Sequence, residues 1–375
     1  TITFNYIIIF MQKEKILALI NSSKQVFQDV SLPVGAIIAA NTDLPYYPKR
    51  AANYHFVWPR DAAFICVAAK RVDLNIYDKF FEWLEDRPEG FKKESLLYQN
   101  YAPNGIKNYK GFQPDQAGTC LWAIYECYKD NLKQAVNKHE TLIRRLADGL
   151  VNDWHGKYFF HHSVDLWEEG ERHTSSVHES NHTYSLAACA RGLLLANEMI
   201  KNDIWVSKAQ QMIKRIDFSY SKTSQRFLRN KGKVIADRNV DASLIGLVWP
   251  FEIIAVDDSR IIKTIKKIEK RIVHNGLGVH RYENDYYDGE GSGREGGGAW
   301  PILNFWMSIY WCLVGDKAKA ENYFNWVLNK LEEDNYGNFF PEQIFEDNRR
   351  GVYPLAWSHA MFILAVEKLY PKLLK

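Results

Sequence analysis

The sequence has few cysteines, no long hydrophobic run and no excess of either charge. Its 375 residues include five cysteines, none of them in Cys-X-X-Cys spacing. An odd number of scattered cysteines, most in apolar helix-like stretches, favours buried reduced thiols over a disulfide framework and predicts a cytoplasmic protein. A formal charge of +3 argues against a partner that is nucleic acid or an anionic membrane, because either would require a basic face.

The first ten residues are apolar but lack the features of a targeting segment. They carry no basic start and no small-residue cleavage site, and they are too short to span a bilayer. A charged helical pattern begins just after Met11. We therefore expect residues 1–11 to be an N-terminal extension and residues 12–375 to form a single domain, since no linker or shift in composition divides them.

Aromatic residues are abundant by contrast. The 12 Trp, 21 Tyr and 20 Phe make up 14% of the chain, and the Trp content is roughly twice that of an average globular protein. With 46% hydrophobic residues the chain is too apolar to be disordered. The composition indicates a large buried core. Whether some of the aromatic rings also belong to a functional site depends on where they lie in the sequence.

Apolar residues recur with a period of 3.6 along most of the chain, and strand-like alternation is nearly absent. The first such segment places Ile16, Leu17 and Ile20 on one face and charged residues on the other. The pattern predicts helices at 12–29, 60–72, 75–86, 115–129, 138–153, 182–201, 204–216, 240–256, 258–272, 301–314, 317–333 and 355–370.

The predicted connections alternate between long and short. In an antiparallel up-and-down array, alternate connections lie at the same end, so the long ones share one face. Long connections of this kind are usually functional. The pattern predicts an all-α double ring of six inner and six outer helices, an (α/α)6 barrel, with the functional site on the long-loop face.

Polar residues beside tryptophans occur in these long loops. Trp58-Pro59-Arg60-Asp61 ends the first of them, where an Arg–Asp pair can bind vicinal hydroxyls while the indole covers an apolar sugar face. A plainer interpretation is that Asp61 caps the following helix. Further motifs supply Arg281-Tyr282, Trp300-Pro301 and Trp357.

Acidic residues cluster in one loop and recur in another. Asp165-Leu-Trp167-Glu168-Glu169-Gly-Glu171 gathers four acids within seven residues, and Glu342 follows far along the chain. Neighbouring carboxylates raise one another's pKa, which suits a proton donor near neutral pH, although a solvated acidic turn is the alternative. Two carboxyl groups among Trp, Tyr and Arg are what glycoside hydrolysis requires.

Taken together, the motifs resemble the catalytic domain of glycoside hydrolase family 15, the glucoamylase family. The resemblance runs from about Gly35 to the last helix and rests on the motifs above, together with Gln113, Asp115, Asn239-Val-Asp241 and Pro341-Glu342-Gln343. It implies an (α/α)6 barrel that inverts the anomeric configuration without a cofactor. The two catalytic carboxyls would then stand about 6.5–9.5 Å apart, leaving room for a water molecule.

The resemblance also implies roles for individual residues. Glu168 matches the general acid and Glu342 the general base. Arg60 and Asp61 match the pair that binds the non-reducing-end glucose, and Glu169 and Arg281 match residues that hold the adjacent sugar. The pocket walls would be Trp58, Trp167, Trp300 and Trp357.

The predicted function is therefore that of an inverting, exo-acting α-1,4-glucosidase, a glycoside hydrolase releasing β-D-glucose from soluble α-glucan oligosaccharides. An α-1,6-preferring isomaltose glucohydrolase, an α,α-trehalase and a non-catalytic glucan-sensing module are the alternatives. No metal is expected: His173, His178 and His182 lack the spacing of a zinc-binding HExxH motif. His55 and His359 could either bind sugar hydroxyls or pack, and the Gly-rich run 289–298 is expected to form a pocket rim.

Overall fold

Eleven α-helices account for nearly half of the chain in the computed structural model, which describes residues 2–85, 96–169, 177–234, 236–274, 276–289, 297–347 and 349–374. Most predicted helices are confirmed to within a few residues, although two begin earlier than the pattern indicated, at Ile2 and Leu132. In chain order the helices are α1 Ile2–Val30, α2 Pro59–Arg71, α3 Tyr77–Glu85, α4 Pro114–Tyr128, α5 Leu132–Asp153, α6 Thr183–Met199, α7 Asp203–Ser219, α8 Ser259–Arg271, α9 Pro301–Val314, α10 Lys317–Glu333 and α11 Ala356–Leu369.

The helices form two concentric rings. The inner ring runs through α2, α4, α6, a 3-10 helix at Ala242–Leu247, α9 and α11, and it closes because α11 packs against α2. Helices α1, α3, α5, α7, α8 and α10 lie outside, each against its inner neighbours. The predicted (α/α)6 barrel is confirmed.

Inner and outer helices differ in how much of their surface is apolar. Every residue of α2 from Pro59 to Ala69 is buried, as expected for a helix with neighbours on all sides. In α8 only Ile261, Thr264, Ile265 and Ile268 are buried, and lysines and arginines occupy the opposite face. This single apolar stripe is typical of a helix that covers a core and faces water.

The inner helices α4 and α6 pack closely where they cross. A Cβ atom on Gly118 would stand 2.4 Å from the carbonyl carbon and oxygen of Ala188, and one on Gly192 would stand 2.6 Å from the carbonyl oxygen of Gly118. Because both obstacles are backbone atoms, a side chain at either position could be accommodated only by moving the helices apart.

Gly118→Ala is therefore expected to destabilise the barrel by about 1–3 kcal/mol, the usual cost of overpacking. The higher helix propensity of alanine, worth about 1 kcal/mol, offsets only part of this. Thermal unfolding measures the effect, with Gly351→Ala as the control, since a Cβ there meets only Phe345 at 3.5 Å. Equal melting temperatures for the two variants would contradict the close packing.

The helix predicted at 240–256 is wrong. The segment forms a 3-10 helix at Ala242–Leu247 followed by turns through residue 251. Pro250 has no amide hydrogen to donate, and the amides of Val248 and Trp249 both bond back to the carbonyl of Ile245, so a regular α-helical ladder is not built. The apolar period persists because this short helix still fills an inner-ring position.

Short antiparallel strands, which the sequence pattern did not reveal, organise the long connections. Their lengths of two to six residues are too short for an alternating pattern to be recognised. They are β1 Tyr98–Tyr101 with β2 Lys107–Phe112, β3 Asn181–His182 with β6 Asn230–Lys231 and β7 Ala236–Asp237, β4 Tyr220–Ser221 with β5 Arg226–Phe227, and β8 Val273–His274 with β9 Gly278–Val279.

Two further properties follow from the packing. All five cysteines are free thiols, four of them buried. None of the helices in the described ranges is both long enough and apolar enough to cross a membrane. The helix α1 runs without interruption from Ile2 to Val30, so the division between residues 1–11 and the remaining chain stays a prediction.

Candidate active site

A cavity of about 330 Å³ opens on the long-loop face. Its volume lies at the lower end of the range for small-molecule sites. All ten residues that the sequence analysis proposed for the site line this main pocket: Trp58, Arg60, Asp61, Trp167, Glu168, Glu169, Arg281, Trp300, Glu342 and Trp357. Six residues that the sequence analysis missed complete the lining, namely Tyr54, Gln99, Tyr109, Leu166, Tyr287 and Leu355.

Arg60 and Asp61 lie in the first turn of α2, at the base of the pocket. Pro59 fixes the start of the helix, and the N-cap residue makes no side-chain capping bond. Asp61 instead accepts from Nε of Arg60 at 3.2 Å, while Nη1 of Arg60 reaches Asp115 at 3.3 Å. Burial raises the pKa of Asp61 to about 6, although the Arg60 charge opposes this shift. The pair therefore presents polar groups to the pocket rather than capping α2.

Glu168 lies at the tip of the acidic loop with a left-handed backbone, φ 65°. Nε2 of Gln99 donates to its Oε2 at 2.5 Å, and Nη2 of Arg60 lies 3.5 Å from its Oε1. Burial raises the pKa of Glu168 to about 7; Arg60 lowers it, and the negative charge of Asp61 raises it. The carboxylate that raises the pKa of Glu168 is thus Asp61, from the first turn of α2, rather than a neighbour in the same acidic loop.

Asp165, in the same motif, supports the loop and does not line the pocket. Its carboxylate accepts from Arg229, with Nε at 2.9 Å, and from the amide of Glu169 at 3.0 Å. Burial favours the neutral form, but the charge of Arg229 keeps the pKa of Asp165 below its ordinary value. Arg229 also contacts Asp241, which accepts from the indole of Trp167 at 3.0 Å. This buried network fixes the loop that carries Glu168.

Glu169 has different partners from Glu168. Its carboxylate accepts from Nη2 of Arg281 at 2.7 Å and from the hydroxyl of Tyr282. Arg281 is also held by Asp285, at 2.6 and 2.8 Å. Burial raises the pKa of Glu169 to about 7, and the Arg281 charge opposes the shift. The guanidinium of Arg281 lies against the rings of Trp167, Tyr287 and Trp300, at 4.8–5.4 Å.

Glu342 lies deep in the pocket, where the loop after α10 approaches the barrel. Its amide donates to the carbonyl of Val352 at 2.8 Å, and its Oε1 accepts from the hydroxyl of Tyr54 at 2.7 Å. Burial raises the pKa of Glu342 to about 8, while the Tyr54 hydrogen bond and the Arg281 charge lower it. Two carboxyls with raised pKa values can hold one proton between them, as an acid–base pair must.

The aromatic walls retain unused hydrogen-bond donors. The indole nitrogens of Trp300 and Trp357 are buried and have no hydrogen-bond partner within the described ranges, although both rings line the pocket. The ring of Trp357 also carries the guanidinium of Arg60 at 5.2 Å.

Two of the pocket residues that were not predicted, Tyr54 and Gln99, contact the candidate acids. Tyr54 stands four residues before Trp58, and its hydroxyl bonds both Glu342 and Tyr287, at 2.7 and 2.9 Å. Gln99 lies on β1. Proximity to the Trp58 motif could have identified Tyr54, whereas nothing in the sequence pairs Gln99 with Glu168.

The histidines considered above do not surround the pocket. His359 is buried between Ser23 and the amide of Phe340, at 2.9 and 3.0 Å, and so packs rather than binding sugar. His55 lies near Thr42 and Asp43. Within the described ranges no group of three potential ligands could hold a metal. Glu171, His173 and most of the Gly-rich run fall outside the described residues.

A pocket with two carboxyls, two arginine–carboxylate pairs and aromatic walls on an (α/α)6 barrel is the arrangement that glycoside hydrolysis requires. The chain belongs to the glycosyl hydrolases family 15, whose sequence model matches residues 85–321. An uncharacterized glycosyl hydrolase of Methanocaldococcus jannaschii is 28% identical over 357 residues, which covers 88% of this chain and 52% of that protein. The chain therefore spans about half the length of this curated relative.

Solved structures share the fold. A wild-type glycosidase superposes with a TM-score of 0.75 at 21% identity, covering 96% of this chain and 98% of that one. A variant described as a glycosidase in complex with glucose gives the same values. A bacterial glucoamylase complexed with acarbose has a TM-score of 0.74 at 20% identity, covering 95% of this chain and 56% of that one.

Proposed function

We propose that this protein is an inverting, exo-acting α-glucosidase that releases β-D-glucose from the non-reducing ends of soluble α-1,4-linked glucan oligosaccharides. In this proposal residues 12–375 form a single catalytic domain. The observation that carries the proposal is the convergence of Glu168 and Glu342 in one cavity with two arginine–carboxylate pairs. The glucose and acarbose complexes of the structural neighbours lend support.

The binding geometry follows from hydrogen-bond chemistry. Arg60 and Asp61 supply a donor fork and an acceptor for the vicinal hydroxyls of the terminal glucose, and Trp58 and Trp357 cover its apolar faces. Glu169 and Arg281 occupy another part of the wall, where the next sugar would lie. A small pocket with few exposed lining groups suits removal of one sugar at a time from a chain end.

The reaction is divided between the two carboxyls. Glu168 protonates the glycosidic oxygen as the C1–O bond breaks, and Glu342 accepts a proton from the water that attacks C1 on the opposite face. The Tyr54 hydroxyl donates to Glu342 and stabilises its ionised form. The competing assignment exchanges the two roles, with Glu342 as the proton donor. It is considered because burial raises the pKa of Glu342 to about 8, above the value of about 7 for Glu168.

Incubation with maltose, isomaltose and trehalose, followed by NMR of the fresh product, tests the proposal. We expect β-glucose to appear first, with maltose the best substrate. Preference for isomaltose or trehalose would reassign the linkage while retaining the acid–base pair. Early α-glucose would contradict inversion, and glucan binding without hydrolysis would favour a sensing module.

The pH dependence provides a separate prediction. The hydrogen bond from Gln99 stabilises the ionised form of Glu168 and therefore lowers its pKa. Gln99→Leu removes that donor, so the pKa of Glu168 should rise and activity should persist to higher pH before the acid loses its proton. The pH profile of kcat/KM measures this shift, and an alkaline limb that stays in place or moves to lower pH would contradict it.

A further inference from the structure

A second cavity, of about 190 Å³, meets the main pocket at the catalytic base. We call it the side pocket. Glu342 and Tyr287 line both cavities. The rest of the side pocket comes from three parts of the chain: residues 50–52, Asp288, and the loop that carries Phe345, Arg349, Arg350 and Gly351. We propose that the side pocket is the route by which the attacking water reaches Glu342 when a glucan fills the main pocket. This inference rests on the function proposed above.

The two cavities open in different places. Tyr109 is the exposed residue that lines the main pocket, and Glu168 and Glu169 are half-buried, whereas Glu342 is only 4% exposed. The exposed residues that line the side pocket are Arg50, Ala52, Asp288, Arg349 and Arg350. A sugar chain entering past Tyr109 therefore blocks the first opening and leaves the second free.

Inverting chemistry places the attacking water on the side of the base. The acid acts on the glycosidic oxygen, and water must attack C1 from the opposite face. Each turnover consumes one water: its oxygen bonds to C1, one of its protons goes to Glu342, and the leaving oxygen takes the proton of Glu168. After glucose and the shortened chain leave, the two carboxyls exchange a proton through solvent. Water supplied from the side of the base can reach C1 while the sugar chain still fills the main pocket.

The rim of the side pocket is built of fixed polar groups. Arg350 donates to the carbonyls of Asp334 and Asn335, at 2.9 and 3.0 Å, and to the hydroxyl of Tyr353 at 3.1 Å. Arg349 is held by Asp347 at 2.6 Å and by the carbonyl of Asp288. Guanidinium groups anchored in this way hold water at the opening and also tolerate a small anion.

Gly351 offers a means to obstruct the route. A Cβ there would meet only Phe345, at 3.5 Å, and the backbone is not left-handed. Gly351→Phe should lower kcat for maltose by about tenfold relative to Gly351→Ala, with KM and the affinity for 1-deoxynojirimycin unchanged. Unchanged inhibitor affinity also establishes that the variant is folded. Ala52→Trp narrows the opposite rim and should lower kcat in the same way.

A second measurement tests nucleophile delivery directly. In Glu342→Ala, azide should replace water and convert α-glucosyl fluoride to β-glucosyl azide. Adding Gly351→Phe should reduce this azide product by about tenfold if azide arrives through the side pocket. The water route would be overturned, and the proposed function left intact, if Gly351→Phe and Gly351→Ala had equal kcat values. The same holds if Gly351→Phe left the amount of azide product unchanged. Formation of glucose 1-phosphate from maltose and inorganic phosphate would overturn water as the nucleophile.

The proposed function can fail separately. If the unsubstituted protein releases no glucose from maltose, isomaltose or trehalose, both the function and the route are overturned. If the protein releases glucose, but the side-pocket variants have the same kcat as Gly351→Ala, the proposed glucosidase function is retained and the proposed water route is overturned.

Discussion

Glu168→Gln is expected to lower kcat/KM for maltose by about 10²–10⁴-fold, the usual contribution of a general acid. The same variant should hydrolyse α-glucosyl fluoride within about tenfold of the unsubstituted protein, because fluoride departs without needing a proton. The contrast between the two substrates isolates proton donation from binding, since both place a glucose in the same part of the pocket.

Glu342→Gln provides the complementary measurement. A general base activates water whatever the leaving group, so this variant should lose about 10²–10⁴-fold on both substrates, with little change in affinity. Glu346→Gln is the matched control, because Glu346 lies in the same loop and is exposed. If Glu342→Gln still hydrolyses α-glucosyl fluoride and Glu168→Gln does not, then Glu342 is the acid and Glu168 the base, the reverse of the proposed roles.

Asp61→Asn is expected to weaken binding of the glucose-mimicking cation 1-deoxynojirimycin by about 10- to 150-fold, which corresponds to ~1.5–3 kcal/mol for a hydrogen bond to a charged group. The amide preserves the shape of the side chain, and Arg60 keeps its contact with Asp115 at 3.3 Å, so the fold should persist. Calorimetric titration measures the change.

Asp43→Asn is the matched control for this loss. Asp43 belongs to the connection before α2, and its side chain is 81% exposed. It should bind the inhibitor like the unsubstituted protein. Equal affinities for the Asp61 and Asp43 variants would mean that the Arg60–Asp61 pair supports α2 without contacting the sugar.

The spacing of apolar residues gave the helices because helical hydrogen bonds join residues four apart and one face must be buried. The alternation of long and short connections then implied the double ring. The same reasoning failed at 240–256, where the apolar period was correct but Pro250 prevents the ladder. It also missed strands such as β1, which are stabilised by pairing with another segment rather than by a pattern of their own.

The motifs located the candidate acids but not their environments. Asp165 and Glu168 are three residues apart in one acidic run. Asp165 forms an ion pair with Arg229, whereas Glu168 lines the pocket. Their pKa values consequently move in opposite directions. A charge partner 64 residues away cannot be read from local sequence, because only folding brings it into contact.

The spacing of apolar residues was enough to predict the helical barrel and the face that carries the long loops, since these depend on local periodicity. The resemblance of the motifs to glycosyl hydrolases family 15 then identified ten residues that line one pocket. Only the tertiary structure decided which groups support those residues. Tyr54 at Glu342, Gln99 at Glu168 and the side pocket behind the base each join segments far apart in the chain. Their contacts, burial and charges arise only when the loops converge, because electrostatic and hydrogen-bond energies depend on distance in space rather than along the chain.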